Sequence, residues 1–365
     1  MSRGSAMART LGWTGVVLGS LLLAGHAGHA GHASHASHAS SRRTRPTAMP
    51  GPARDAPSSL RVDQNRECVE CHVEVAAQWQ GSLHQQAFVD PDVAVALARE
   101  PRAFCRGCHA PEGDPSSPPP REVAAIGVAC VTCHVPPDAT LPVGAVLAAP
   151  SARPAAASPH AIVRREAFAT NAACAACHEF PSELLPGLMM QTTLTEHRAS
   201  AFADEPCQSC HMPLGSDGRR THGFEASRDP AMLRAAVHVR AQRMGDGAWL
   251  ELAPGAIGHA FPTGDPFRRL SIELGHEEDG EWVVDDERQL TRRIGRHRSR
   301  LRQLADDRPG ASPEPTRVVL RAPGLEAVAL GWRVAYERLD MDYPDDPSPR
   351  IFDRVIVAEG WLAPL

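Results

Sequence analysis

Residues 127–134 read GVACVTCH. Two cysteines three positions apart, with a histidine directly after the second, form a pattern that recurs along the chain. The copies are CVECH at 68–72, CRGCH at 105–109, CVTCH at 130–134, CAACH at 174–178 and CQSCH at 207–211, and together they use all 10 cysteines. In an exported chain an even cysteine count ordinarily points to disulfides. A disulfide places no demand on the residue that follows it, yet here that residue is histidine every time. Zinc knuckles share the C-x-x-C element without requiring the histidine.

On a helical turn, positions i, i+3 and i+4 share a face, so two thiols and one imidazole converge. Covalent haem c attachment needs that convergence: two thioethers to the vinyl groups and one axial imidazole to iron. The pattern therefore assigns five haem c groups. They are tethered by Cys68, Cys71, Cys105, Cys108, Cys130, Cys133, Cys174, Cys177, Cys207 and Cys210, with proximal ligands His72, His109, His134, His178 and His211. The copies begin 37, 25, 44 and 33 residues apart. So little chain per macrocycle, with only 5% aromatic residues, implies that porphyrin itself supplies much of the interior apolar surface.

Each iron has a sixth position, filled by histidine, methionine or nothing. Of the 18 histidines, five follow cysteine pairs and five (His26, His29, His32, His35, His38) lie in a HAGHAGHASHASHAS repeat. Eight are left. His84, His197 and His222 each lie in the haem segment near an aromatic residue, and His160 follows a Pro/Ala loop and precedes a helix-like run. These four are candidate distal ligands. His259, in GHAFPTGDPFRRL (258–270), precedes a rigid Phe-Pro-Thr-Gly turn that can project an imidazole into the haem layer, and it is the fifth candidate. His238 lies on the polar face of an alternating segment, His276 in an acidic turn and His297 on a charged helical face; all three read as structural or solvated.

Outside the motifs, residues 1–30 read as a signal peptide. The apolar run 11–25 is too short to span a bilayer and small residues follow it. Residues 31–60 read as a His-rich, Pro/Ser-rich disordered linker, and no later run is long enough for a transmembrane anchor in the mature chain. The expected location is periplasmic or extracellular. A net charge of −5 and a pI near 6.4 argue against nucleic acid as a partner. From residue 229 the chain holds no cysteine and shows short alternating segments at 236–242, 248–254, 269–275, 316–322, 331–339 and 352–362, which read as a β-sandwich. A charged stretch at 286–308 reads as a helical insert. Its arginines suit either a solvated helix face or a docking patch for an acidic redox partner.

The spaced C-x-x-C-H motifs, GVACVTCH, CQSCHMP followed by THGF, and GHAFPTGDPFRRL resemble multihaem cytochromes c of the cytochrome c-554-related group, over about residues 62–275. The resemblance implies haems stacked in close pairs, mostly with bis-histidine ligation, carrying electrons in the periplasm or at the cell surface. Some relatives are enzymes acting on nitrite, hydroxylamine or other small nitrogen or sulfur species. This chain departs from two of those. It has no lysine, since all 38 basic residues are arginine, so the lysine-ligated active haem of ammonia-forming nitrite reductases is excluded. Its two tyrosines, Tyr336 and Tyr343, lie far from any motif, which argues against the tyrosine cross-link of hydroxylamine oxidoreductases.

The expected fold is thus α+β, with a mostly helical and irregular pentahaem domain (61–228) packed against a C-terminal β-sandwich-like domain (229–365). The expected function is electron transfer with a redox partner protein, another cytochrome or a membrane quinol-oxidising complex. The alternative is an oxidoreductase with one open haem iron acting on a small inorganic nitrogen or sulfur species.

Overall fold

A computed structural model describes residues 57–99, 102–136, 141–151, 158–182, 187–298, 300–340 and 349–365. The expected signal peptide (1–30), the histidine repeat, nearly all of the expected linker (31–56) and Tyr343 lie outside the described residues. The chain is mixed helix and sheet. Its first half consists of short helices joined by irregular segments: α1 (Ser58–Cys71), α2 (Val73–Trp79), α3 (Pro91–Arg99), α4 (Ala103–His109), α5 (Arg121–Ile126), α6 (Cys130–His134), α7 (Ala172–His178), α8 (Thr193–Arg198) and α9 (Gln208–His211). Each Cys-x-x-Cys-His motif ends one of these helices, so the helical turn that the spacing requires is present five times. Two small strand pairs interrupt the helices: β1 (Val146–Ala148) beside β2 (Ile162–Arg164), and β3 (Glu179–Pro181) beside β4 (Met189–Thr192). The helix-like run after His160 is in fact β2 and a 3-10 turn at Glu166–Ala169. Pairing with β1 captures Ile162 and Val163, whose β-branched side chains favour strand.

A short helix, α10 (Pro230–Ala235), capped by the Asp229 carboxylate accepting from the Ala231 N–H at 2.8 Å, leads into the strand-rich part. β5 (Val237–Met244), β6 (Gly247–Pro254) and β11 (Thr316–Arg321) form a three-stranded antiparallel sheet. β7 (Arg268–Glu278), β8 (Glu281–Leu290), β12 (Leu330–Asp340) and β13 (Arg350–Leu362) form a four-stranded one, in order β13-β12-β7-β8. Between them lies one apolar cluster that includes Leu250, Leu252, Leu270, Ile272, Leu274, Val318, Leu320, Leu330, Val334 and Tyr336. The period-2 pattern marks the inward residues. In β7, Leu270, Ile272 and Leu274 face this core, while Arg269 and Glu273 face away and pair with Glu337 (2.6 Å) and Arg354 (2.5 Å).

The described residues between 286 and 308 are not helical. They complete β8 and form β9 (Arg292–His297) and β10 (Arg300–Asp306), an antiparallel hairpin. Arginine's helix propensity is overridden by register: Leu290 and Ile294 are buried on one side while the intervening arginine at 293 is exposed. His276 accordingly lies within β7, three positions before the Asp279–Gly280 turn, and bonds Asp285 at 2.9 Å. His297 ends a strand rather than lining a helix. His238 is exposed on β5.

Apolar packing is unevenly distributed. The described buried clusters of the helical segment are small: Val62, Ala110 and Val123 in one, Trp79, Ala129 and Val131 in the other. Polar contacts help to hold that segment together. Arg61 on α1 donates to Glu112 (2.6 Å) and to the Val131 carbonyl (2.9 Å), and Glu112 also accepts from Thr132 (2.7 Å). Glu112 is 1% exposed. Glu112→Ala therefore leaves a buried guanidinium uncompensated, at a cost of about 3–5 kcal/mol; the drop in urea midpoint of the haem-loaded protein measures it, and an unchanged midpoint contradicts it.

Candidate functional site

The five motif histidines and the candidate distal histidines meet inside the helical segment and along its contact with the sheets. His72 faces His160 with ring centres 6.2 Å apart, His178 faces His84 at 6.2 Å, His134 faces His222 at 6.2 Å and His211 faces His259 at 6.3 Å. Every one of these pairs joins one motif histidine to one remote histidine. Metal–nitrogen bonds of about 2 Å on both sides of one ion place imidazole centres about 6 Å apart. The spacing is too wide for ring stacking by contact and fits a metal between the rings.

The surroundings fit the same group. Burial pushes the imidazole of His84 down to about 3 and those of His178, His222 and His259 to about 4, and it lowers His134 as well. All five rings are therefore neutral at pH 7, with a nitrogen lone pair to offer. His84, His134, His222 and His259 are nonetheless only half-buried, and His178 is exposed. Rings deep in the fold that still carry accessible surface line an internal space, not a close-packed core. The ten cysteines are all free thiols, half-buried or exposed, and so available for thioether formation.

Hydrogen bonds decide which ring nitrogen faces that space. Nδ1 donates to the carbonyl of Ala87 in His109 (2.6 Å), of Leu147 in His134 (2.8 Å), of Glu225 in His211 (2.8 Å), of Arg220 in His222 (3.0 Å) and of Ala260 in His259 (3.0 Å). A carbonyl only accepts, so Nδ1 carries the proton and Nε2 presents its lone pair, the arrangement of a metal-ligating histidine.

His197 has the opposite polarity. The Asn171 side-chain oxygen accepts from the Cys207 N–H (2.7 Å), which orients its amide nitrogen towards His197 Nδ1 at 3.3 Å. His197 Nδ1 is then the acceptor and Nε2 bears hydrogen. His197 is also buried and has no ring partner at the 6 Å spacing among the described residues. The structure separates it from the other four distal candidates. At His109, likewise, no second imidazole stands opposite among the described residues.

Two residues carry weight that the motif alone does not reveal. Asn65 lies three positions before Cys68, and its side chain accepts from the backbone N–H of Cys130 at 3.0 Å; Asn171, three positions before Cys174, does the same for Cys207. The first motif is thereby clamped to the third and the fourth to the fifth. The Cys174 and Cys207 thiols lie within hydrogen-bonding reach, a contact that draws Cys207 down to about 7. The signal was N-x-x-C-x-x-C-H, which occurs in motifs one and four only.

His259 owes its position to a buried ionic knot. Glu196 on α8 accepts from Thr192 (2.6 Å), Thr263 (2.6 Å) and Arg308 (2.7 Å), while Arg308 also donates to the Pro262 carbonyl at 2.5 Å. Burial alone would raise the Glu196 carboxyl, but Arg308 and the hydroxyl donors hold it below its ordinary value. Gly258 passes so close to His197 that a Cβ would meet its ring at 3.1 Å.

Among the described residues no helix is long and apolar enough to cross a membrane. No curated protein matches the chain. Residues 67–135 match the family model for cytochrome c554 and c-prime. The fold is similar to that of a penta-heme cytochrome c552 from Thermochromatium tepidum, with a TM-score of 0.59 and 19% identity, over 81% of this chain and 97% of that one. The family match spans the first three motifs, and the likeness to the solved structure is one of fold.

Proposed function

We propose that the chain is an exported pentahaem cytochrome c that transfers electrons, with four of its irons held between two imidazoles. The observation that carries this reading is the set of four ring pairs at one metal-sized spacing, each joining a motif histidine to a remote one. His72 and His160, His178 and His84, His134 and His222, and His211 and His259 are the proposed ligand pairs. Bound haem c supplies a one-electron ferric–ferrous couple. The chain's own part is to tether, orient and desolvate. Its cysteines fix each macrocycle, the backbone carbonyls at Nδ1 fix ring orientation, and Asn65 and Asn171 hold motif pairs one–three and four–five together, so that electrons pass between neighbours. Export by residues 1–30 to the periplasm or cell surface, and exchange with a redox partner protein, belong to the same proposal.

A second reading is favoured by His109, the motif histidine without an imidazole opposite among the described residues. An open position there suits an oxidoreductase acting on a small inorganic nitrogen or sulfur species.

Three substitutions or additions test these assignments on the holoprotein. His259→Ala is expected to add one high-spin iron to the EPR spectrum beyond what wild type shows, and a spectrum unchanged from wild type contradicts the assignment. His197→Ala is expected to leave spin states unchanged; a new high-spin signal would make it a ligand. Carbon monoxide added to the reduced protein is expected to bind at one iron per chain and to do so without displacing a histidine. Zero uptake would exclude the open position.

A further inference from the structure

We propose that the outward face of the β9–β10 hairpin is a docking surface for an acidic redox protein, an inference that rests on the electron-transfer reading. β9 and β10 form a two-stranded sheet of their own. Their register sets His297 opposite Arg300 and Gly295 opposite Arg302, and opposed residues share a face. Arg293, Gly295, His297, Arg300 and Arg302 thus line one side, and Ile294, Arg296 and Leu301 the other. Ile294 is buried, which turns the first side outward.

That side is strongly basic. It carries Arg293, Arg300 and Arg302 together with His297, in a chain whose net charge is −5. Arg293 is tied to Asp307 at 3.1 Å. Arg300 and Arg302 are exposed and form no ion pair with any described residue. Leu304 stands among these charges. It is 58% exposed and occupies the bulge between Gln303 and Ala305, where its Cδ1 takes the space beside Gly295 that a side chain would fill, 2.7 Å from a Cβ placed there. An apolar side chain surrounded by charge has the anatomy of a protein interface: a small anchor within a polar rim. The guanidinium forks suit carboxylates, which they bind in bidentate fashion.

The hairpin is also joined to the redox interior. Arg292 at its base donates to the carbonyls of Met189 (2.6 Å) and Met190 (2.9 Å) on β4. β4 pairs with β3, which begins at Glu179, the residue after His178. At its other end β10 runs into Arg308 and the Glu196 knot that holds the His259 loop. A donor seated on the hairpin is therefore close to the fourth and fifth motifs. In the exchange, one electron leaves the donor's reduced iron–sulfur centre and reduces one ferric iron of this chain to ferrous, with no bond made or broken.

The experiment uses the full haem-loaded chain and reduced plant-type [2Fe–2S] ferredoxin, an acidic protein, as the probe, with rates followed by stopped flow. At low ionic strength the pair R300E/R302E is expected to slow reduction about tenfold or more, and Leu304→Asp to slow it as well. The charge effect should vanish at high salt, as steering by opposite charge requires. Reduction by a neutral photoreduced flavin should be equal in all variants, which confirms that they fold and retain haem. Equal ferredoxin rates for wild type and R300E/R302E overturn the docking surface alone. Failure of wild type to accept electrons from the flavin overturns the electron-transfer reading and this proposal with it. Sedimentation of wild type, but not R300E/R302E, with phosphatidylglycerol vesicles while their ferredoxin rates stay equal assigns the face to a membrane and overturns the protein partner.

Discussion

The whole arrangement depends on pairs of imidazoles held apart at a fixed gap. A neutral ring whose Nδ1 donates to a carbonyl has one use left for Nε2 in a water-poor interior: to coordinate something. Both rings of the His134–His222 and His211–His259 pairs are set this way, and all four imidazole gaps lie within or at the edge of a segment whose described apolar clusters contain only three buried residues each. Side chains alone give that segment little hydrophobic driving force, and five tethered macrocycles would supply it. The sheets follow a different economy. β5–β8 and β11–β13 bury a continuous apolar cluster of their own and form the wall against which the haem segment is assembled.

Arginines make several of the contacts between the two parts. Arg338 reaches Asp92 (3.7 Å), Arg99 reaches Asp340, Arg292 reaches the carbonyls of β4, and Arg308 reaches Glu196. In a chain without lysine all of this falls to arginine, whose planar fork can serve several acceptors at once. Arg308 binds Glu196, Asp306 and the Pro262 carbonyl together. It thereby couples the loop that carries His259 to the base of the basic hairpin.

The attachment motifs were legible because their geometry is local: three residues on one helical turn. The strands of the C-terminal part were legible for the same reason, since period-2 alternation at 236–242 or 269–275 states which side chains point inward. Distal pairing is not local. The paired histidines lie 88, 94, 88 and 48 residues apart in the chain, and the fold alone brings them together. His84 and His197 have similar neighbours in sequence, yet one stands across from His178 and the other accepts a hydrogen bond from Asn171 on the nitrogen that ligands protonate. Nothing adjacent to His197 announces that reversal. At 286–308 the arginines suggested a helix, while the two residues that set the strand register, Leu290 and Ile294, are also spaced as a helix would space them. Pairing with β7 and within the hairpin resolved the ambiguity.

The central claim is that tethered porphyrin completes the interior of residues 61–228. The intact mass of the natively folded protein tests it most directly. The account predicts a mass that carries five haem c additions and no free thiol. A folded protein of the bare polypeptide mass, with its ten cysteines still titratable, would contradict it.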